Sequence, residues 1–135
     1  MRFVDTNVLL YAVSRDSAEA AKAAVARELL GGRDLALSVQ VLHEFYVQAT
    51  RATRTDPLSH RQAVDLIVAF ARFPVQEGTL ALTRAALSTR DRFQLSFWDA
   101  AIIEAARLLE CPVVLSEDLN DGQDYGGVMV VNPFA

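Results

Sequence analysis

The chain has 135 residues, of which 52% are apolar, and carries a net charge of −4 at neutral pH. This length predicts one domain, residues 1–135, with enough apolar material for a core. The charge excludes a protein that holds nucleic acid by bulk positive charge, and no apolar run is long enough for a transmembrane helix. The one cysteine, Cys111, excludes an intrachain disulfide and fits a cytoplasmic protein.

The predicted elements alternate between strands and helices. Short apolar runs bounded by turn residues predict strands, and apolar residues at helical spacing predict helices. This alternation indicates a three-layer α/β domain with a mainly parallel sheet. In chain order we predict a strand at 2–5, helices at 7–16 and 17–31, a strand at 35–38, helices at 39–52 and 60–73, an edge strand at 73–77, helices at 79–93 and 97–111, and strands at 112–116 and 127–131.

Acidic residues follow two of the predicted strands. Asp5 ends the first strand, and Asp118 lies two residues after the run "VVLS". Because ligands gather beyond the C-terminal ends of parallel strands, both carboxylates are expected at one edge of the sheet. Asp5 also fits the N-cap of the next helix, and a carboxylate can cap and ligate through different atoms.

Two further acids lie on the apolar margins of helices. Asp99 shares a helix face with Ile102 and Ile103, and Glu44 lies one turn after Val41. A carboxylate on such a face is costly unless it is paired or bound to a metal. For Asp99, the alternative is a first-turn acid that the helix dipole favours.

Together these acids predict a metal-dependent reaction. Gathered carboxylates raise one another's pKa, and a divalent cation relieves that repulsion. Oxygen ligands without His or Cys favour Mg²⁺, with Mn²⁺ as a substitute, over zinc. Such ions activate water and clamp phosphates, so the pattern suits phosphodiester hydrolysis by a metal-activated water. Bound cations would also let an acidic protein receive a polyanion.

Four segments resemble the PIN domain, and more narrowly the VapC toxins of type II toxin–antitoxin pairs. They are "FVDTNVLLYA", "HEF", "LSFWDAAIIEAA" and "LSEDLNDGQDYGGVMVVNPF", and they cover the chain in order. The resemblance implies an α/β/α fold and a Mg²⁺- or Mn²⁺-dependent endoribonuclease that acts on single-stranded RNA. It also implies a VapB-like antitoxin that blocks the site, and a homodimer.

The resemblance assigns roles to individual residues. Asn7 and Ser116 match polar residues that orient the carboxylates, and Asp121 is a candidate fifth acid. The acidic quartet of catalytic and metal-binding residues corresponds to Asp5, Glu44, Asp99 and Asp118.

The acidic loop at 115–128 is not a self-contained calcium site. Counted from Asp118, the fifth position is Gly122 and the twelfth is Met129, where an EF-hand needs oxygen ligands. We expect Asp118 to face the end of the first strand, Glu117 to point to solvent, and Asp124 to lie in a turn.

Trp98 and several arginines are weaker candidates for RNA contact. Trp98, next to Asp99, suits either base stacking or packing, and packing is the favoured expectation. For the arginines, solvated surface or pairing with a helix C-terminus is the favoured expectation. The candidates lie near the ends of two helices and are Arg51, Arg54, Arg90 and Arg92.

Other classes of protein fit less well. A phosphoacceptor receiver domain needs a lysine after its last strand, but the only lysine, Lys22, lies in an early helix. A haloacid-dehalogenase-like phosphatase needs a second Asp two residues after the first, where Asn7 stands. A noncatalytic interaction module remains open, since fold does not fix function; a missing quartet acid would indicate it, and none is missing.

Overall fold

A five-stranded sheet forms the centre of the computed structural model, which describes residues 1–135. All neighbouring strands are parallel, in the order β3-β2-β1-β4-β5. Parallel neighbours require crossover connections, which helices supply everywhere except between β4 and β5, where the loop 116–128 makes the connection. The strands are β1 (Arg2–Val4), β2 (Leu35–Ser38), β3 (Val75–Gln76), β4 (Val113–Leu115) and β5 (Met129–Val131).

Six α-helices flank the sheet, which confirms the predicted three-layer α/β/α arrangement. Side-chain caps fix where several of them begin; Ser59 and Gln62 form a full capping box, for example. The helices are α1 (Thr6–Ala12), α2 (Ala20–Leu30), α3 (Val39–Ala49), α4 (His60–Phe70), α5 (Leu80–Phe93) and α6 (Phe97–Leu108), with a 3₁₀ turn at Ser17–Glu19 before α2.

The first helix ends earlier than predicted, at Ala12 instead of residue 16. The hydroxyl of Ser14 accepts a hydrogen bond from the backbone N–H of Asp16, and the Asp16 carboxylate caps the 3₁₀ turn through the N–H of Ala18. Short polar side chains here offer the backbone partners outside the helix, so they stop it. Asp16 is therefore the cap of the turn that begins at Ser17.

The core lies on both faces of the sheet. Phe3 and Val4 of β1 are fully buried, and so is Tyr125 in the loop before β5. Burial of successive residues, at Phe3 and Val4 in β1 and along the whole of β2, is what a parallel sheet covered on both faces requires. Cys111 is buried too, and burial raises the pKa of its thiol. None of the helices has the length and hydropathy needed to cross a bilayer.

The strand register positions the functional edge. Val4 of β1 pairs with Leu115 of β4, so the residues that follow each of them, Asp5 and Ser116, emerge side by side. The backbone N–H of Asp5 donates to the carbonyl of Leu115 at 3.0 Å, which extends the pairing to this edge.

Candidate active site

A cavity of about 120 Å³ opens at the carboxyl edge of the sheet. All four predicted acids line it, together with Asn7. They come from different elements, because β1 and β4 end at this edge and the middle of α3 and the first turn of α6 each place one side chain beside it. The acids are Asp5 after β1, Glu44 in α3, Asp99 in the first turn of α6 and Asp118 after β4.

Asp5 is the most buried of these acids, with 6% of its surface exposed. One carboxylate oxygen, Oδ1, accepts from the backbone N–H of Thr6 at 2.7 Å, and Oδ2 accepts from Ser116 Oγ at 2.7 Å. Burial raises the pKa of Asp5 from 3.8 to about 6, against the lowering effect of these two hydrogen bonds and with smaller increases from Glu44 and Asp118. Asp5 therefore caps α1 and lines the pocket at once.

Asn7 and Ser116 connect Asp5 to Asp118. Ser116 Oγ accepts from the backbone N–H of Asp118 at 3.1 Å and from Asn7 Nδ2 at 3.3 Å. Asn7 Nδ2 also donates to Asp118 Oδ2 at 3.2 Å. Both residues thus contact carboxylates of the pocket, and their role in orienting these carboxylates stays a prediction.

Glu44 is held by two residues that sequence reasoning missed. Gln40 Nε2 donates to Glu44 Oε1 at 2.7 Å, and Thr6 Oγ1 donates to Glu44 Oε2 at 3.4 Å. Gln40 also donates to the carbonyl of Trp98 at 3.2 Å, so it ties α3 to α6. The sequence did contain a signal for Gln40: it lies four residues before Glu44 on a predicted helix, a spacing at which side chains contact each other. Only the tertiary structure brings Thr6 to Glu44.

Asp99 lies in the first turn of α6, where Ser96 caps the helix. The Ser96 hydroxyl accepts from the backbone N–H of Asp99 at 3.1 Å. Burial raises the pKa of the Asp99 carboxyl, a hydrogen bond with Ser96 lowers it, and the charge of Asp118 raises it. Asp99 thus lies both in the first turn of α6 and in the lining of the pocket. The positive end of the helix dipole therefore offsets part of the free-energy cost of burying this carboxylate.

The pocket gathers negative charge without a protein cation. Arg, Lys and the N-terminus form all their ion pairs elsewhere in the chain. No three His, Cys, Asp or Glu side chains stand close enough to hold an ion as they are arranged. Mg²⁺ does not need such a cage, because it keeps several waters and takes only one or two carboxylates. The oxygen-only donor set therefore fits a hydrated Mg²⁺ or Mn²⁺ better than zinc.

The other acids of the 115–128 loop have structural roles. Asp121 lies outside the lining of the pocket, and its Oδ1 accepts from the backbone N–H of Asn132 at 2.8 Å. The structure therefore does not bring this candidate fifth acid to the other four. Asp124 lies in a turn, as predicted, and accepts from the backbone N–H of Gly127, whose φ is +98°.

The expectation that Glu117 points to solvent is wrong. Glu117 Oε1 accepts from Lys22 Nζ at 2.9 Å and from the Tyr11 hydroxyl at 3.1 Å, while its Oε2 is buried without a partner. The backbone N–H of Glu117 donates to Asn7 Oδ1. The only lysine thus binds beside the pocket and not in it, which removes the basis for a receiver-domain interpretation.

Replacement of Tyr11 by phenylalanine tests this contact. The ring of Tyr11 packs edge-on against Phe134 at 4.9 Å, so Tyr11→Phe removes only the hydroxyl. We expect the free energy of unfolding in urea to fall by about 1 kcal/mol, because a half-buried carboxylate loses a donor. Tyr46→Phe is the matched control, since its hydroxyl bonds His60 on the exposed surface. Equal effects of the two substitutions would contradict this account.

Trp98 is 65% exposed, so the expectation that it is buried is wrong. The core-facing positions of α6 are taken by residues such as Ala100 and Ile103, which leaves the second residue of the helix on the outside. The indole packs edge-on against the neighbouring Phe97, with ring centroids 5.1 Å apart.

The arginines differ in their surroundings. Arg54 donates to the carbonyl of Leu10, Arg90 pairs with Asp91, and the Arg92 guanidinium lies over the ring of Phe93. Arg51 is exposed and lines a shallow surface cavity together with Glu44. Of the four, Arg51 is therefore the one placed near the acidic pocket with its guanidinium free of protein partners.

The comparisons with known proteins agree with this architecture. Residues 2–120 match the family model of the PIN domain. The chain belongs to the PIN-domain family. Curated protein sequences give no significant match to this PIN domain.

Solved structures with the same fold cover nearly the whole PIN domain. A toxin–antitoxin complex from Klebsiella pneumoniae has a TM-score of 0.71 at 20% identity, over 98% of both chains. The Sarcin-Ricin loop cleaving toxin VapC20 of Mycobacterium tuberculosis has a TM-score of 0.68 at 21% identity, over 87% of this chain and 90% of that one. VapBC2 from Rickettsia felis, bound to a promoter DNA fragment, has a TM-score of 0.64 at 13% identity, over 96% of both chains. At these identities the similarity shows a shared fold.

Proposed function

We propose that this PIN domain is a Mg²⁺-dependent endoribonuclease that acts on single-stranded RNA, with Mn²⁺ as a substitute ion. PIN domains are nucleases. The observation that carries the proposal is the pocket itself, in which four carboxylates converge at the carboxyl edge of the sheet without a cationic side chain. Carboxylates this close repel one another unless a divalent cation binds between them. The bound cation in turn attracts a phosphate.

The four acids of the pocket would hold the ion. Asp5 and Asp99 are the proposed direct ligands, with Glu44 and Asp118 completing the acidic quartet. When bound, Mg²⁺ lowers the pKa of a coordinated water and offsets the charge that develops on the phosphate. The pKa of about 6 at Asp5 means that this carboxyl must release its remaining proton for the ion to bind at neutral pH.

The polar residues around the quartet would set its orientation. Asn7 and Ser116 hold Asp118 and Asp5 by the hydrogen bonds described above. Gln40 and Thr6 hold the two oxygens of Glu44. Carboxylates that are already held in place lose less conformational entropy when a phosphate and an ion bind. This preorganisation favours in-line attack on the phosphodiester. The expected products carry a 5′-phosphate and a 3′-hydroxyl.

The similarity to toxin–antitoxin structures supports a biological role as well. We propose that the chain is the toxin of a VapBC-type pair, acts as a homodimer in the cytoplasm, and is inhibited by a VapB-like antitoxin that covers the pocket. Growth arrest on induced expression, relieved by co-expression of the protein from an adjacent reading frame, would support this role. Growth unaffected by a folded, expressed chain would contradict it.

Cleavage of an unstructured RNA with and without metal tests the enzymatic proposal. We expect cleavage in 5 mM MgCl₂ or MnCl₂ (on the order of the concentrations such weakly held ions need), loss of cleavage in EDTA, and recovery on adding excess Mg²⁺. Ribonucleases that need no metal leave a 2′,3′-cyclic phosphate, so the chemistry of the ends separates this chain from a contaminant. Full activity in EDTA would overturn the metal proposal.

A further inference from the structure

A larger groove of about 500 Å³ adjoins the acidic pocket. It lies between the start of α3, the start of α5 and the start of α6, and apolar side chains such as Val39, Leu82 and Phe97 form much of its wall. Gln40, Glu44 and Trp98 line both cavities. The groove and the acidic pocket are therefore neighbours with a shared wall, and Trp98 forms part of that wall.

The geometry of Trp98 offers a flat aromatic surface on this shared wall. Trp98 is the only tryptophan in the chain, and it is 65% exposed. The indole is supported edge-on by Phe97 at an interplanar angle of 79°, and the carbonyl of Trp98 accepts from Gln40 Nε2. An exposed indole held in this way retains a large apolar area for a ligand to cover.

The charge of the groove selects the kind of group that fits it. No lysine or arginine lines it, and its only ionisable side chains are His43 and Glu44. A phosphate would find no cation there, whereas a neutral aromatic ring would be well accommodated. Gln76 and Thr83 add hydrogen-bonding side chains of the kind that recognise base edges, whereas Ser38 is 2% exposed and its hydroxyl caps α3.

We propose that this groove binds one unpaired nucleobase of the RNA strand, stacked on Trp98, while the phosphate attached to the same nucleotide lies in the acidic pocket. The acidic pocket suits a metal-bound phosphate and the apolar groove suits a base, and the two cavities are neighbours, as the phosphate and base of one nucleotide are. The proposal rests on the proposed nuclease function and adds the group that is recognised beside the reacting bond. Stacking on an aromatic side chain tolerates different bases, so it favours single strands over duplexes.

Kinetics of RNA cleavage test the assignment. Trp98→Ala is expected to raise KM by about tenfold, because each stacked base contributes measurably to affinity, with a smaller effect on kcat. Trp98→Phe should restore most of the affinity, because it keeps a flat ring. The matched control is Leu108→Ala, which removes another exposed apolar side chain of α6, 51% exposed and away from the groove, and it should leave both constants unchanged. An unchanged KM in Trp98→Ala would overturn the proposal.

Fluorescence of the single tryptophan tests base binding without catalysis. A six-nucleotide oligoadenylate in MgCl₂ should quench Trp98 in the Asp99→Asn variant, and an abasic strand of the same length and charge should not. Equal quenching by both strands would contradict a base site.

If the wild type cleaves no RNA, the nuclease proposal fails, but base-dependent quenching still supports a base site in the groove. If KM is unchanged and Trp98→Ala weakens self-association in sedimentation, the groove holds a second copy and the base proposal is wrong.

Discussion

Asp99→Asn is expected to lower the rate of Mg²⁺-dependent RNA cleavage by about 100-fold or more. The carboxylate of Asp99 lines the acidic pocket and has no protein cation to neutralise it. A catalytic ion supplies several kcal/mol of charge stabilisation, and each 1.36 kcal/mol corresponds to tenfold in rate, so weakening one ligand removes at least two decades. The amide of asparagine has nearly the same shape, so the cap by Ser96 on the backbone of residue 99 is retained.

The matched control for Asp99→Asn is Asp91→Asn. Asp91 ends α5 on the surface with 82% of its side chain exposed, so the substitution changes the net charge by the same amount outside the pocket. We expect wild-type cleavage from Asp91→Asn, and an unfolding temperature for Asp99→Asn no lower than that of the wild type, because a repulsive charge is removed. Wild-type cleavage by a folded Asp99→Asn variant would rule out the assigned role.

The metal-free protein is expected to lose stability as the pH rises from about 4 to 6, because of Asp5. The pKa of Asp5 is about 6 in the folded state and 3.8 ordinarily, so the native state binds more protons between these values. The free energy of unfolding therefore falls with pH in this window. A shift of about two units corresponds to roughly 3 kcal/mol, fully lost at neutral pH.

Asp5→Asn isolates this contribution from those of other carboxylates. The difference in unfolding free energy between Asp5→Asn and the wild type, measured in urea with EDTA, should change in favour of the variant by up to about 3 kcal/mol between pH 4 and pH 7. Any constant cost from an altered bond to Ser116 Oγ cancels in this pH dependence. A difference that does not change with pH would contradict a raised pKa at Asp5.

Addition of Mg²⁺ should reverse the loss of stability. At pH 7 the ion is expected to raise the unfolding temperature of the wild type above that in NaCl of equal ionic strength, which controls for screening. At pH 5 the increase should be smaller, because the proton on Asp5 competes with the ion. The same increase in Asp5→Asn as in the wild type would place the stabilising ion at another site.

The sequence by itself determined the class of fold and the identity of the candidate acids. Short apolar runs and apolar residues at helical spacing are local properties of the sequence. Their alternation therefore predicts a parallel sheet with helices on both faces without knowledge of long-range contacts. Asp5 and Asp118 were recognisable because they follow such runs, and Asp99 and Glu44 because they interrupt apolar helix faces. The resemblance to PIN domains then predicted a common role for these four acids.

Only the tertiary structure decided how these residues meet and what surrounds them. The pairing of Val4 with Leu115 aligns the ends of β1 and β4, and this register is a property of two segments far apart in the chain. The ion pair of Glu117 with Lys22 and the exposure of Trp98 likewise depend on neighbours that no local pattern specifies. Local propensity fixes what each segment forms, whereas contacts between distant segments fix which side chains share a pocket.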